Sequence, residues 1–390
     1  MKMKLIKIMV VFFLIMFFGW LGSLFFGRYL TPIFIKSKTF SKFEIFKNDN
    51  KNTTIINQTE KIVVQETESI SEVASNASYS VVNIFSFERN LETGKKLSVA
   101  ATQDKYLTGK RGVGTVLTND GIIVTSQKNI ILENADYKIF TLKGEVLPAQ
   151  LLAVDNFSEL AYLKVEGVNL TTMPFGDNVN RIFGKKVILI GQLSESGQAL
   201  LAEGTMSGYQ EGFSLAGGEV ASSEKLEGVL KVAFDEDNQY VGGPVINYNG
   251  ELLAITSKIE VDGREKYFQI PIETIKESVQ KIIDNKITEV AKLGIYYVSV
   301  NQFYQDLKGL TVDRGAMIYS PSGKQGLAII AGSPAEKAEL KIGDIIVSID
   351  GNEINAMHSL ANFIYQYEKG SSATLNILRN GEMIEVEVVF

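Results

Sequence analysis

Histidine and cysteine, the side chains most often used in nucleophilic and metal chemistry, are almost absent from this sequence. Its 390 residues include one histidine, His358, and no cysteine. A serine nucleophile needs a neighbouring base with a near-neutral pKa, which histidine usually supplies. Disulfides and thiolate metal sites require cysteine, and a single histidine leaves zinc binding to carboxylates. We therefore expect neither a metal nor a cofactor.

Length, hydrophobicity and charge limit the class of protein. A chain of this length holds about two to three domains of ordinary size, and its apolar content of 45% is enough for packed cores. The net charge of −6 offers no basic surface that would release phosphate counterions. We therefore expect no nucleic-acid partner.

The N-terminus has the pattern of a membrane anchor. Lys2, Lys4 and Lys7 precede an uncharged apolar run over residues 8–26, which ends before Arg28. About 20 apolar residues cross the hydrocarbon core as a helix. The alternative is a cleaved secretory signal, but the run exceeds the roughly 7 to 15 residues of such a signal, and no small-residue cleavage pattern follows. The lysines favour a cytoplasmic N-terminus. The pattern thus predicts a single-pass protein of the cell membrane whose bulk is extracytoplasmic.

Short apolar segments separated by turn signals follow a polar linker. We predict strands at 81–85, 114–117, 122–125, 138–142, 151–154, 161–165, 186–190, 229–232, 244–246, 252–255 and 267–270. Strands this numerous favour an antiparallel barrel or sandwich over alternating strand and helix units. Isoleucine and valine recur at spacings of three and four over residues 272–283, which predicts a closing helix.

Several strings within these strands are similar to a known family. They are GVGTVL at 112–117, GIIVT at 121–125, AVDNFSELAYLKV at 153–165, the run from 242 to 255 that begins GGPVIN, and YFQIPI at 267–272. Together, and in this order, they resemble the protease domain of the HtrA family of trypsin-like serine proteases. The resemblance implies a chymotrypsin-like fold of two six-stranded β-barrels.

The resemblance also locates the positions where the family has its catalytic triad. Lys128 stands where the family has histidine, Glu159 where it has aspartate, and Val241 where it has the serine nucleophile. We call these three residues the triad positions. Gln239 replaces a glycine whose amide serves the oxyanion hole. The resemblance therefore implies a degenerate catalytic centre with no intact catalytic residue.

Two interpretations of Lys128 remain open. Lys128 with Ser126 or Ser158 would form a Ser/Lys dyad only if burial brought the lysine pKa near neutrality. The alternative is that Lys128 pairs with Glu159 or points to water. The glycines from 109 to 114 do not form a phosphate loop, because strand residues follow and the lysine precedes the last glycine.

The last hundred residues resemble a second module. GSPAEKA at 332–338 and LKIGDIIVSIDG at 340–351 are similar to the centre of HtrA-type PDZ domains. Such domains add an extended peptide to a sheet edge and capture its terminal carboxylate with backbone amides. The resemblance implies a peptide-binding site formed by Lys292, Leu293, Gly294 and Ile295, which we call the carboxylate loop, by a strand through Tyr297, and by Leu360 and Ile364.

Some of these assignments have plain structural alternatives. Leu360 and Ile364 either line a side-chain pocket or simply face the core. His358, at the start of a predicted helix over 358–367, fits an exposed or capping residue better than a functional one. Residues 373–378 and 383–389 are predicted to pair as strands across Asn380 and Gly381.

The expected architecture is mainly β: an N-terminal transmembrane helix, a chymotrypsin-like double β-barrel and then an α+β PDZ domain. The boundaries are 1–28 for the cytoplasmic tip and anchor, 29–70 for the linker, 71–285 for the protease-like domain and 290–390 for the PDZ domain. The functional hypothesis is an HtrA-like pseudoprotease that binds polypeptide C-termini or unfolded protein, in envelope protein quality control or as a regulatory scaffold. A homotrimer or a mixed assembly with an active HtrA is a possible form. The alternative is an active serine endopeptidase with a non-standard catalytic centre.

Overall fold

The computed structural model describes residues 70–88, 109–167, 169–176, 183–194, 196–216, 220–261, 263–323, 327–355 and 357–390. The predicted anchor over residues 8–26 and the linker up to residue 69 lie outside these ranges. Within them, no helix is both long and apolar enough to span a membrane.

A short helix and a closed barrel form the first part. Helix α1 is Ile70–Ser78, and the barrel strands are β1 (Val81–Glu88), β2 (Lys110–Val116), β3 (Ile122–Ser126), β4 (Ala135–Thr141), β5 (Val146–Asp155) and β6 (Leu160–Lys164). They close in the order β1-β2-β3-β6-β5-β4. Inward side chains such as Ile84, Ile123, Ile139 and Leu163 are fully buried. The barrel is therefore filled by the apolar residues that alternate along its strands.

A second closed barrel follows. Its strands are β7 (Lys186–Leu193), β8 (Ala199–Ser214), β10 (Glu227–Ala233), β11 (Pro244–Ile246), β12 (Leu252–Val261) and β13 (Arg264–Pro271). Their order is β10-β13-β12-β11-β7-β8. Helix α2, Ile272–Ile283, follows β13 and buries Ile272, Ile275 and Val279. The two six-stranded barrels that the resemblance implied, and the predicted helix, are confirmed.

A third sheet holds the C-terminal region. Its strands are β14 (Tyr296–Val300), β15 (Gly315–Ile318), β16 (Ile345–Ile349), β17 (Asn352–Glu353), β18 (Ser372–Arg379) and β19 (Glu382–Val389), with helices α3 (Gln302–Lys308), α4 (Pro334–Lys337) and α5 (Leu360–Gln366). The order is β19-β18-β16-β15-β14 and then the two-residue strand β9 (Ala221–Ser222), and β17 pairs with β16. Strand β9, Ala221–Ser222, belongs by sequence to the region between β8 and β10. One edge of this sheet is thus completed by a piece of the preceding region.

Several elements were not predicted from the sequence, among them β8, β9 and α3. Strand β8 contains glycines at 204, 208 and 212, which interrupt the alternation that marks a strand. Strand β9 has two residues, and its ladder partner is the distant β14. Helix α3 buries none of its residues, so it lacks the apolar stripe by which helices are recognised.

Candidate functional site

Lys128 lies in a short 3-10 turn, Gln127–Asn129, directly after β3. The Ser126 hydroxyl accepts a hydrogen bond from the Lys128 amide at 3.4 Å and so begins the turn. The Lys128 side chain is 46% exposed, and its Nζ lies 3.3 Å from Glu159 Oε2. The ammonium is therefore wet and paired with a carboxylate, unlike the desolvated lysine that a catalytic base requires.

Glu159 lies in the turn between β5 and β6, in the left-handed backbone region with φ of 57°. Its other oxygen, Oε1, is 3.2 Å from Lys225 Nζ. Lys225 also donates to the Asn156 carbonyl at 2.8 Å. The Glu159 carboxylate is thus held between two ammonium groups, which compensate its negative charge. In a triad protease the corresponding carboxylate orients an imidazole.

Asn129 joins the two segments that carry Lys128 and Val241. Its Nδ2 donates to the Val241 carbonyl at 2.6 Å and to Thr125 Oγ1 at 3.1 Å. Gly242 follows with φ of 85°, and a Cβ there would come within 2.3 Å of both Asn129 Nδ2 and the Val113 carbonyl. The structure therefore packs the segments of the triad positions tightly across the barrel interface.

The backbone amides of Gln239 and Val241 are hydrogen-bonded within a turn. Residues Asn238–Tyr240 form a 3-10 turn, and the Asp237 carboxylate accepts a hydrogen bond from the Gln239 amide at 2.7 Å. The Val241 amide donates to the Asn238 carbonyl at 3.1 Å. In a triad protease, the corresponding amides of the nucleophile and of the residue two before it face the developing oxyanion. In this structure both of these amides donate to acceptors within the turn.

The two serines of the possible Ser/Lys dyad are engaged elsewhere. Ser126 and Ser158 are both fully buried. Ser126 Oγ lies 3.1 Å from Ser257 Oγ, and Ser158 Oγ donates to Asp155 Oδ2 at 2.6 Å. Lys128 Nζ pairs instead with Glu159.

Asp155 is the centre of a buried network between the first barrel and the third sheet. Its carboxylate accepts hydrogen bonds from the Phe157 amide at 3.0 Å, the Ser158 hydroxyl at 2.6 Å and the Tyr365 hydroxyl at 3.0 Å. The rings of Phe157 and Tyr365 stack with centroids 4.1 Å apart. Burial raises the pKa of Tyr365 far above its usual value. Sequence reasoning missed this network because its members are separated by 210 positions.

The carboxylate loop lies at the start of β14. Lys292 is exposed, whereas Leu293, Gly294 and Ile295 are buried. Gly294 has φ of 81°, a conformation that favours glycine and turns the backbone at this point. Glu224 Oε1 accepts a hydrogen bond from the Gly294 amide at 2.8 Å. The loop therefore presents an amide to a carboxylate of the same chain, that of Glu224.

Tyr297 in β14 is held by a second glutamate from the barrel region. The Tyr297 and Ser299 hydroxyls both donate to the carboxylate of Glu227. Burial raises the pKa of Glu227 despite these two donors. Burial and the nearby Glu227 charge together raise the pKa of Tyr297 well above its usual value. The barrel and the third sheet are thus joined by a desolvated hydrogen-bond cluster as well as by the strand pairing.

The predicted pocket residues on α5 are enclosed. Leu360 and Ile364 have no exposed surface, and the neighbouring Ala361 amide donates to the Tyr297 hydroxyl at 3.2 Å. His358 is exposed, and its amide donates to Asn355 Oδ1 at 3.0 Å. No group of three or more acidic, histidine or cysteine residues in the described ranges is placed to hold a metal.

Comparison with known proteins identifies both modules. A family model described as a trypsin-like peptidase domain matches residues 109–255, and one described as a PDZ domain matches residues 291–389. A DegP-like periplasmic serine endoprotease of Hahella chejuensis is 30% identical over 284 residues, which cover 71% of this chain and 56% of the relative. The serine protease Do-like HtrA of Bacillus subtilis is 25% identical, over 82% of this chain and 72% of its own length.

Solved structures give the same fold. The HtrA-type protease AlgW, in complex with a decapeptide, superimposes with a TM-score of 0.59 at 19% identity and covers 83% of this chain and 98% of its own. The chain spans little more than half the length of the DegP-like relatives that it matches.

Proposed function

Because the chain belongs to the HtrA family and combines a trypsin-like peptidase domain with a PDZ domain, we propose that it is a pseudoprotease that binds polypeptide C-termini or unfolded segments. Its role on this proposal is extracytoplasmic protein quality control or regulation. The peptidase fold is kept as a scaffold, and the PDZ domain holds the ligand.

One observation carries the proposal: the position that would bear the nucleophile is occupied by buried Val241, and its amide and that of Gln239 are tied into a turn. A serine protease needs a nucleophile, a base and free oxyanion donors, and the last of these contributes about 3 to 4 kcal/mol of transition-state stabilisation on its own. Lys128 paired with Glu159 replaces none of them.

Activity-based labelling tests the loss of chemistry. We expect the detergent-solubilised full chain to hydrolyse no casein and to bind no fluorophosphonate probe, with trypsin as the positive control. Casein hydrolysis that disappears in Lys128→Ala would instead establish a working, non-standard centre and overturn the proposal.

Restoration of the replaced residues provides a second readout. The combined variant Lys128→His, Glu159→Asp, Asp237→Ala, Gln239→Gly and Val241→Ser returns the triad side chains and removes the carboxylate that caps the amide of residue 239. Fluorophosphonate labelling of this variant, and none of the matched variant with Val241→Ala in place of Val241→Ser, is the expected result. It would show that the scaffold persists and that only its chemistry was lost.

The binding half of the proposal has its own test. A library of decapeptides with free C-termini is expected to bind the full chain, whereas the same peptides with amidated C-termini are not. Gly294→Ala is expected to abolish binding, because its Cβ would lie 2.3 Å from Ser333 Cβ; at Gly343 the same change meets no atom within 4 Å and provides the control. Equal binding of free and amidated peptides would contradict C-terminal recognition.

The anchor and the assembly remain sequence-based parts of the proposal. Deletion of residues 1–28 is expected to release the protein from membranes into the alkaline-wash supernatant, where the full chain should be absent. Crosslinking in native membranes tests the assembly: recovery of this chain alone would contradict a mixed assembly with an active relative.

A further inference from the structure

Residues Ala221–Lys225, which we call the groove segment, lie where a peptide ligand would bind the third sheet. Ser222 opposes Tyr296 and Ala221 opposes Tyr297 in an antiparallel ladder along the outer edge of β14. The other edge of β14 is paired with β15. Since PDZ domains take their ligands by adding a strand to this kind of edge, the groove segment occupies the edge of β14 at which a ligand strand would be added.

The hydrogen bonds continue beyond the ladder into the carboxylate loop. The Ser223 amide donates to the Ile295 carbonyl at 3.0 Å, and the Ile295 amide donates to Ser223 Oγ at 3.1 Å. The next residue, Glu224, then places its Oε1 at 2.8 Å from the Gly294 amide. A strand followed by a carboxylate on the loop amide has the two elements by which a peptide C-terminus is recognised, with a side-chain carboxylate in place of the terminal one.

The carboxylate of Glu224 is positioned by its own segment. Ser223 Oγ donates to Glu224 Oε1 at 2.6 Å, and Ser222 Oγ donates to Glu224 Oε2 at 3.2 Å. Two hydroxyls and one amide thus hold the carboxylate in a fixed orientation. Charge-assisted hydrogen bonds of this kind are stronger than neutral ones, so the contact is a specific one.

The same segment reaches the triad positions. Lys225, directly after Glu224, pairs with Glu159 at 3.2 Å, and the Leu226 amide donates to the Phe157 carbonyl at 2.9 Å. Departure of the groove segment from β14 would therefore pull on the contacts that hold Glu159. The PDZ groove and the former catalytic cleft are connected through two adjacent residues of opposite charge.

We propose that the groove segment is an internal ligand of the PDZ domain, so that a peptide C-terminus binds only after Ala221–Lys225 has left β14. This inference rests on the proposed peptide-binding function and adds a closed state to it. A tethered ligand acts at an effective concentration on the order of millimolar. The apparent affinity for a free peptide equals the affinity of the open molecules multiplied by the fraction of molecules that are open.

Crosslinking tests whether the closed state exists. The chain has no cysteine, so Ser222→Cys with Tyr296→Cys introduces a single pair. The amide and carbonyl of Tyr296 bond to Ala328 and Tyr319 on the other side, which makes Ser222 and Tyr296 a non-hydrogen-bonded pair with Cα atoms about 4.5 Å apart, within disulfide range. We expect a rapid intramolecular disulfide.

A matched pair controls for non-specific oxidation. Ser222→Cys with Glu387→Cys places the second cysteine on β19, at the far edge of the sheet and roughly 20 Å or more away by strand spacing. This pair is expected to stay reduced. If the Ser222/Tyr296 pair forms no faster than this control, the closed state is overturned.

Peptide binding tests whether the segment gates the groove. The probe is the free-carboxylate decapeptide library, applied to the full chain. We expect the oxidised Ser222→Cys/Tyr296→Cys variant to lose binding at least about tenfold and to regain it on reduction. Glu224→Gln, which weakens the contact with the Gly294 amide, should bind about tenfold more tightly than the native chain, and Glu387→Gln on β19 should bind as the native chain does. Equal binding by the oxidised and reduced forms would overturn the gate.

Failure of the two proposals can be told apart. If the disulfide forms but no variant, including Glu224→Gln, binds any free-carboxylate peptide, peptide recognition is wrong while the closed segment stands. A variant-free measurement covers misfolding: the Gly294 and Ile295 amides of the native chain should exchange slowly with deuterium because both donate to the groove segment. Exchange at the rate of an open loop would overturn closure.

Discussion

The triad positions and the carboxylate loop differ in the atoms on which their proposed roles depend. At the triad positions the backbone is closely packed around Gly242, and cleavage would depend on the side chains of Lys128, Glu159 and Val241. At the carboxylate loop recognition would depend on the backbone amide of Gly294, which is bonded to Glu224. On our proposal, substitution removes a function that side chains carry, whereas a function that the backbone carries is controlled by the segment that covers it.

The largest loss of stability is expected at Gly242, where the backbone is packed closely against Asn129 and Val113. Gly242→Ala places a Cβ within 2.3 Å of Asn129 Nδ2 and the Val113 carbonyl at a positive φ, so it should destabilise the fold by about 4 kcal/mol or more. Gly250→Ala also has a positive φ, but its nearest atom is 3.8 Å away, and about 1 kcal/mol is expected. Thermal unfolding of the two variants measures the difference. Equal unfolding midpoints would contradict the close packing of Gly242 against Asn129 and Val113.

Removal of the acceptor that joins the regions should rank second. Asp155→Ala leaves the Phe157 amide and the Ser158 and Tyr365 hydroxyls without their buried carboxylate, and should lower the free energy of unfolding by about 3 kcal/mol. Tyr365→Phe removes one donor and should lower it by about 1 kcal/mol. Asp306→Ala on exposed α3 is the control. Denaturant titration measures all three, and a Tyr365→Phe loss as large as that of Asp155→Ala would contradict the shared-acceptor arrangement.

The Glu227 cluster predicts a pH dependence of smaller size. Burial raises the pKa of Glu227 in the folded state, so the folded protein binds its proton to a higher pH than the unfolded chain does. The contribution of protonated Glu227 to the free energy of unfolding is complete below the unfolded pKa of about 4.3. It is lost as the pH rises from that value through the raised pKa of the folded state. Glu227→Gln should flatten this slope in unfolding midpoints measured from pH 4 to 8, and Glu387→Gln should leave it. An unchanged slope in Glu227→Gln would contradict the assignment.

The smallest effect on stability is expected at Lys128. Lys128 is half exposed and its pair with Glu159 is open to solvent on that side, so Lys128→Gln should change stability by about 0.5 kcal/mol or less. Raising the salt concentration should reduce even this difference. A loss above about 1.5 kcal/mol would show that the lysine has a structural role that its exposure does not indicate.

The sequence predicts the fold best where local pattern and packing agree. Strand β11 and helix α2 match their predicted bounds because apolar side chains recur at the spacing of the element that forms. Strand β9 could not be predicted, since its two residues pair with residues 74 and 76 positions away and carry no pattern of their own. The occupied groove was missed for the same reason.

The features of the candidate site also differ in whether the local sequence indicates them. The lack of a hydroxyl at Val241 and of an imidazole at Lys128 follows directly from the residue types. The capped amide of Gln239 also had a local signal, because Asp237 stands at the position from which aspartate caps a helical turn. Glu224 had none, because its role depends on a loop that lies 70 residues further along the chain.

The turn capped by Asp237 has a consequence for how the proposed loss of cleavage could be reversed. Serine at position 241 alone would be a hydroxyl without a histidine at position 128, and the amide of Gln239 would still be held by Asp237. Histidine at position 128 alone would be an imidazole without a serine at position 241 to activate. On our proposal, no single substitution restores cleavage, so several positions would have to change together before selection could act on it.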